Sequence, residues 1–250
     1  MQKTSGAHRW ALWLLSVLIW TVSAILTVFF WFIMLLWAVP ALVLDPQKRI
    51  SHTLASMWGR ALMRCHAGWR VAVVGRHYLH PTRTYILVAN HQSLMDITVL
   101  YGLHCQFKWV AKQELFHIPF LGWAMSLAGY IRLARGRHGS IRDTYEEARR
   151  YLAAGMSVLF FPEGTRSQTP TMLPFKNGAF KVALAMGVPV VPIAVRGTRN
   201  LLPRNSLLIN PAGTITVTVL PPVDLRAYGL DEADRLRDDV RGLIEQALAR

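Results

Sequence analysis

Trp10 to Leu44 is a run of 35 residues without a charge or a histidine. As one helix it measures about 52 Å, against a hydrocarbon core of about 30 Å. A single straight span therefore cannot use all of it. Two full spans need a turn near the middle, yet Ile19 to Thr27 contains no Gly, Pro or Asn. The pattern predicts one membrane-inserted helix with a break near Pro40 and an interfacial continuation. The run greatly exceeds the apolar core of a cleaved signal peptide. Trp20, Phe29, Phe30, Trp31, Phe32 and Trp37 suit a membrane interface or a lipid-facing surface.

Both flanks are basic: Lys3 and Arg9 before, and Lys48, Arg49, Arg60 and Arg64 after. The larger excess lies after the segment, so the positive-inside rule puts the rest of the chain on the cytoplasmic side of a membrane. The whole chain carries a formal charge of +14, from 28 basic and 14 acidic side chains. That balance favours anionic partners. No nucleic-acid motif is present, so an anionic membrane surface is expected rather than nucleic acid. Cys65 and Cys105 give no disulfide framework. The histidines show no metal-ligand spacing; His77 and His80 are three apart with no Cys or carboxylate to complete a site.

The segments 1–45, 46–230 and 231–250 are expected to be a membrane-inserted helical part, an α/β domain and a terminal amphipathic helix. Apolar, β-branched runs read as strands at Val71–Val74, Tyr85–Ala89, Ser157–Phe161, Val188–Val195 and Thr214–Leu220. Ser140 reads as the cap of a helix carrying Ile141, Tyr145, Ala148 and Leu152, stopped at Gly155. Near the end, Ala233, Leu236, Val240, Leu243 and Ala247 form one stripe, expected to pack on the domain.

His91 and Asp96 follow the second of these strands in Ala89-Asn90-His91-Gln92-Ser93-Leu94-Met95-Asp96. Five residues of continuous helix turn about 500°, which separates the two faces. Ser93 as an N-cap with Asp96 three residues later gives a different arrangement. His91 then precedes the helix, and Asp96 in its first turn leans back toward the imidazole. Such a carboxylate fixes the tautomer and stabilises the imidazolium, leaving the other ring nitrogen to remove a proton from a hydroxyl. On these residues alone a second reading also stands, with Asp96 only a cap and His91 only a loop residue.

A second string, Phe161-Pro162-Glu163-Gly164-Thr165-Arg166-Ser167, begins where the strand Ser157–Phe161 ends, a common place for α/β sites. Gly164 permits close backbone approach. Arg166 offers planar paired donors for phosphate. Glu163 suits orienting Arg166 or accepting a hydroxyl of the ligand. There is no G-x-S-x-G elbow for a covalent intermediate.

Together these two strings, in this order behind a long apolar N-terminus, resemble the glycerophospholipid acyltransferase family, and within it the 1-acylglycerol-3-phosphate acyltransferases. Gly129-Tyr130-Ile131-Arg132-Leu133-Ala134-Arg135 is similar to the family's G-x-x-F-I-x-R block, with Arg132 and Leu133 in place of its Phe and Ile. Val188-Pro189-Val190-Val191-Pro192-Ile193 resembles the fourth, apolar block, and Phe175-Lys176-Asn177-Gly178 the segment after the glutamate motif. The resemblance covers residues 65 to 222. It implies a mixed-sheet α/β acyltransferase domain joined to N-terminal membrane-associated helices. It implies direct attack, with His91 and Asp96 as the catalytic pair and no covalent acyl-enzyme. Arg166, Arg135 and Lys176 are then phosphate ligands, with Glu163, Gly164 and Thr165 positioning the substrate. The implied reaction moves an acyl group from acyl-CoA or acyl carrier protein to the sn-2 hydroxyl of 1-acylglycerol 3-phosphate, with no metal or organic cofactor. Two alternatives are an acyltransferase for glycerol 3-phosphate or a lyso-aminolipid, and a non-catalytic binder of anionic lipid. An oriented His-Asp pair argues against the binder. A phosphoesterase needs metal-ligand clusters that the sequence lacks.

Overall fold

The β-branched runs assemble a seven-stranded sheet. In the computed structural model, residues 6–133 and 138–249 are described, with side chains from 9–133 and 142–249. The elements in chain order are α1 (Gly6–Leu44), α2 (Arg49–Arg64), β1 (Gly68–Val74), β2 (Ile86–Ala89), α3 (Met95–Leu100), β3 (Phe107–Lys112), α4 (Leu121–Leu127), β4 (Ile131–Leu133), α5 (His138–Ala153), β5 (Ser157–Phe160), α6 (Gly178–Met186), β6 (Val190–Arg196), α7 (Thr198–Leu201), β7 (Ala212–Val219) and α8 (Ala233–Ala249). Strand order is β1-β7-β6-β2-β5-β3-β4. All pairs are parallel except β6 with β7. The sheet is therefore mixed, as the resemblance implies.

Alternation along the central strands feeds two cores. Leu87 and Ala89 of β2 join Leu159 of β5 and Val191, Ile193 and Val195 of β6 in a core that includes residues of α1, α2 and α3. Ile86, Val88, Val158, Phe160 and Ala194 face the other side, against α5, α6 and α8. Strands buried on both faces read as continuous apolar runs, which is why these three are legible in the sequence. The terminal helix packs on the sheet with Ala233, Leu236, Val240 and Ile244 buried, so Ile244 takes the place expected for Leu243.

Three expectations are corrected. Helix α1 runs through Pro40 without a break, about 58 Å long at 1.5 Å per residue. The chain turns instead at Asp45, which precedes Pro46 and is thereby disfavoured from helical conformation. The Asp45 carboxylate then accepts from the backbone N–H groups of Arg49 (2.6 Å), Ile50 (2.8 Å) and Ser51 (3.3 Å), satisfying free donors at the start of α2. Ser140 lies inside α5, which begins at His138, and so is not its cap. Helix α3 begins at Met95 with Leu94 as N-cap, one residue later than expected.

One side of α1 is fastened to the domain. Ile209 donates its N–H to Ser16 Oγ (2.9 Å), Trp20 Nε1 to the Leu207 carbonyl (2.8 Å), and Trp58 Nε1 to Thr27 Oγ1 (3.0 Å). Trp31 packs edge-on against Phe120 at 5.0 Å. The opposite side leaves Leu14, Leu18, Ile25, Phe29, Phe32 and Leu36 exposed. By length and composition α1 is the one helix among the described residues able to cross a membrane.

Candidate active site

The site lies where three adjacent strands, β6, β2 and β5, reach their C-terminal ends. Helix α3 leaves β2 on one face of the sheet, and α6 leads from β5 to β6 on the other. Departure to opposite faces opens a crevice between neighbouring parallel strands, the usual ligand position in such sheets.

His91 begins the chain beyond β2. Its Nδ1 is 2.8 Å from Asp96 Oδ2. The same oxygen accepts the backbone N–H groups of Gln92 (2.7 Å) and Ser93 (2.8 Å), while Oδ1 accepts the Thr198 hydroxyl at 2.5 Å. Asp96 is fully buried and has four donors. Four hydrogen bonds hold this buried carboxylate in one position. With Nδ1 committed to Asp96, Nε2 is the nitrogen left for chemistry, and no described group hydrogen-bonds to it. Ser93 Oγ accepts from the Met95 N–H (3.2 Å) and donates to the Leu202 carbonyl (2.7 Å), so it serves as a tie rather than as the formal cap.

The second string fastens the first. Glu163 Oε1 accepts the His91 N–H (2.7 Å), and the Ser167 N–H donates to the His91 carbonyl (2.9 Å). The imidazole stacks on Phe161 at 4.0 Å with 14° between the rings, and Phe161 stacks in turn on Trp109 at 5.5 Å. Main chain and ring of His91 are thus both held by the loop after β5. Glu163 Oε2 accepts the Leu173 N–H (2.8 Å). Burial pushes the Glu163 carboxyl up, and the two N–H bonds oppose that shift. Both carboxylate oxygens are engaged by backbone, so Glu163 is a strut for the His91 loop and does not orient Arg166. Gly164 adopts φ +70° in a tight turn closed by its N–H to the Phe161 carbonyl (2.9 Å). Only glycine takes this conformation freely.

Arg166 lies half-buried on the same loop, and its guanidinium has no hydrogen-bond partner among the described residues. Burial lowers its pKa, the Arg204 charge lowers it further, and Asp96 acts the other way. Thr165 is half-buried on the same turn. Lys176 is tied by its N–H to the Pro162 carbonyl (2.9 Å), with its side chain exposed. Arg135 lies outside the described residues. No cluster of three metal-ligating side chains occurs among the described residues.

Two residues of this architecture are not singled out by the sequence. Asn90 is fully buried and bridges β2 to β6: its Nδ2 donates to the Val195 carbonyl (2.9 Å) and its Oδ1 accepts the Val195 N–H (2.7 Å). Thr198, at the start of α7, supplies the fourth bond to Asp96. The available signal was position: Gly197-Thr198 follows β6 as Glu163-Gly164 follows β5.

Comparison with known proteins agrees with this geometry. The family model described as Acyltransferase matches residues 70–196. The chain is 36% identical over 203 residues to a protein of Brassica napus named 1-acyl-sn-glycerol-3-phosphate acyltransferase BAT2, chloroplastic, covering 81% of this chain and 57% of that one. It is 36% identical over 169 residues to the 1-acyl-sn-glycerol-3-phosphate acyltransferase of Escherichia coli, covering 66% of each. The crystal structure of the 1-acyl-sn-glycerophosphate (LPA) acyltransferase PlsC from Thermotoga maritima superposes with a TM-score of 0.79 at 26% identity, over 97% of this chain and 98% of that one. The chain spans between 57% and 66% of the lengths of the two curated relatives.

Proposed function

The chain belongs to the acyltransferase family, and from that premise we propose that it transfers a fatty acyl group from a thioester to the sn-2 hydroxyl of 1-acylglycerol 3-phosphate, forming phosphatidate. The observation that carries the reading is the His91–Asp96 pair, held by the Glu163 loop and leaving Nε2 free at the crevice. Nε2 takes the proton of the acceptor hydroxyl as its oxygen attacks the thioester carbonyl. The tetrahedral intermediate expels the thiolate, which recovers the proton from His91. Asp96 stabilises the imidazolium between the two steps. The donor is acyl-CoA or acyl carrier protein. His91 and Asp96 work without a covalent intermediate and without a metal. Arg166 binds the acceptor phosphate, with Arg135 and Lys176 as further candidate ligands for it; Gly164 and Thr165 shape the turn that presents Arg166.

Two of the relatives above carry names that include 1-acyl-sn-glycerol-3-phosphate, which supports this acceptor over glycerol 3-phosphate or a lyso-aminolipid. The test is a panel of these acceptors against both donor types with the purified protein. Highest kcat/KM with 1-acylglycerol 3-phosphate is expected; preference for another acceptor reassigns the substrate. Losing one hydrogen bond to a charged group costs about 1.5–3 kcal/mol. Arg166→Ala is therefore expected to raise the acceptor KM by roughly 10- to 150-fold and leave the donor KM nearly unchanged. Equal loss for donor and acceptor makes Arg166 structural or a donor ligand.

The exposed side of α1 rests in the bilayer, with the basic residues Lys48, Arg49, Arg60 and Arg64 following it on the cytoplasmic side. A contiguous exposed apolar face supports this placement. Burial of apolar side chains is nearly indifferent to salt, whereas attraction of a basic surface is screened as the Debye length falls to about 3 Å at 1 M. The protein is expected to stay with membranes through a high-salt wash and to leave in detergent. Release by salt alone contradicts insertion.

A further inference from the structure

Two arginines, Arg166 and Arg204, lie on neighbouring loops tied to the His91 segment, and neither is ion-paired to a carboxylate among the described residues. Arg204 lies beyond α7, on the segment that the Ser93 hydroxyl ties to the His91 loop through the Leu202 carbonyl at 2.7 Å. Its Nη1 donates to the Arg166 carbonyl oxygen. Asp96, the carboxylate that acts on Arg166, already has four donors. Burial lowers the Arg166 pKa first, the Arg204 charge lowers it further, and Asp96 opposes both. Both side chains are half-buried, so solvent does not fully screen them.

Like charges held together without a counter-charge are costly, and an anion seated between them relieves the cost. One guanidinium suffices for a phosphodiester, which carries a single negative charge. A phosphate monoester carries about −1.5 to −2 near pH 7, with a second pKa of about 6 and three acceptor oxygens. Two planar forks match that charge and that number of oxygens. We propose that Arg204 is a further phosphate-recognising residue, acting beside Arg166, and that its added charge makes the site selective for phosphomonoester over phosphodiester lysolipid acceptors. This inference rests on the acceptor reading given under Proposed function and adds the residue that enforces it.

The test uses the full-length protein in mixed micelles with 1-acylglycerol 3-phosphate and, as the phosphodiester, 1-acylglycerophosphoglycerol. Arg204→Gln retains an N–H donor for the Arg166 carbonyl but removes the charge; Arg204→Lys retains the charge. Arg204→Gln is expected to raise KM for the monoester by about 10- to 100-fold. Its donor KM and melting temperature stay near wild type, and its preference for monoester over diester shrinks by a similar factor. Arg204→Lys keeps most of the preference. In the wild type, monoester KM rises as pH falls through about 6, where the phosphate loses its second charge, and Arg204→Gln flattens that rise. Unchanged preference in Arg204→Gln overturns the inference. Equal kcat losses on both acceptors in the Gln and Lys variants also overturn it and leave Arg204 as a loop support. A wild type that uses both acceptors equally overturns the inference alone. One that uses the diester but not the monoester overturns the acceptor reading as well.

Discussion

His91→Ala is expected to lower kcat by about 10²–10⁴-fold, the usual worth of a positioned general base. The imidazole is anchored on three sides: Nδ1 by Asp96, the ring face by Phe161, and the main chain by Glu163 and Ser167. Alanine keeps every main-chain anchor, so the loop remains in place and the loss falls on proton transfer. Acceptor KM is therefore expected to change far less than kcat. Steady-state assays, together with a thermal melt to show folding, check this outcome. Near-normal kcat in the folded variant would remove His91 as the base.

Asp96→Asn is expected to be almost as damaging, with kcat lowered on the order of 10³-fold, because imidazole orientation and tautomer depend on this carboxylate. The four donors are His91 Nδ1, two backbone N–H groups and the Thr198 hydroxyl. A carboxylate accepts all four. An amide offers one accepting oxygen and points N–H groups at the remaining donors. At least one buried donor is left unmatched, at a cost of about 1–3 kcal/mol in stability. Asp96→Asn is thus predicted to lose both activity and thermal stability, whereas Thr198→Val, which removes one donor, loses much less activity. If Asp96→Asn turns over normally, the carboxylate is only a cap.

Legibility followed the chemistry of each segment. The central strands β2, β5 and β6 were readable because both their faces are apolar. Strand β3 was not, because Lys108 is fully buried within it and reads as a surface residue. Its ammonium donates to the carbonyls of Lys48 (3.0 Å) and Ala128 (2.7 Å), and burial lowers its pKa to about 7. Those acceptors lie in distant segments, so no local pattern announces them. Strand β4 has only three residues, one of them Arg132, and carries too little periodicity to read. The end of α1 differs from the break that Pro40 suggests, because Pro46 and the capping Asp45 set it. Within the candidate site, His91 and Asp96 were legible because their contact is local. Thr198 reaches Asp96 across 102 positions, and Asn90 reaches Val195 across 105, and such contacts exist only once the sheet has formed.

The most direct measurement of direct acyl transfer at His91 uses a purified protein and a thioester donor labelled in its acyl chain. Samples are quenched with and without 1-acylglycerol 3-phosphate, and label is followed in both protein and lipid. The account predicts labelled phosphatidate only when the acceptor is present, its loss in His91→Ala, and no label bound to protein in either sample. Acyl-labelled protein in the absence of acceptor, or unlabelled phosphatidate pools with the donor consumed elsewhere, contradicts it.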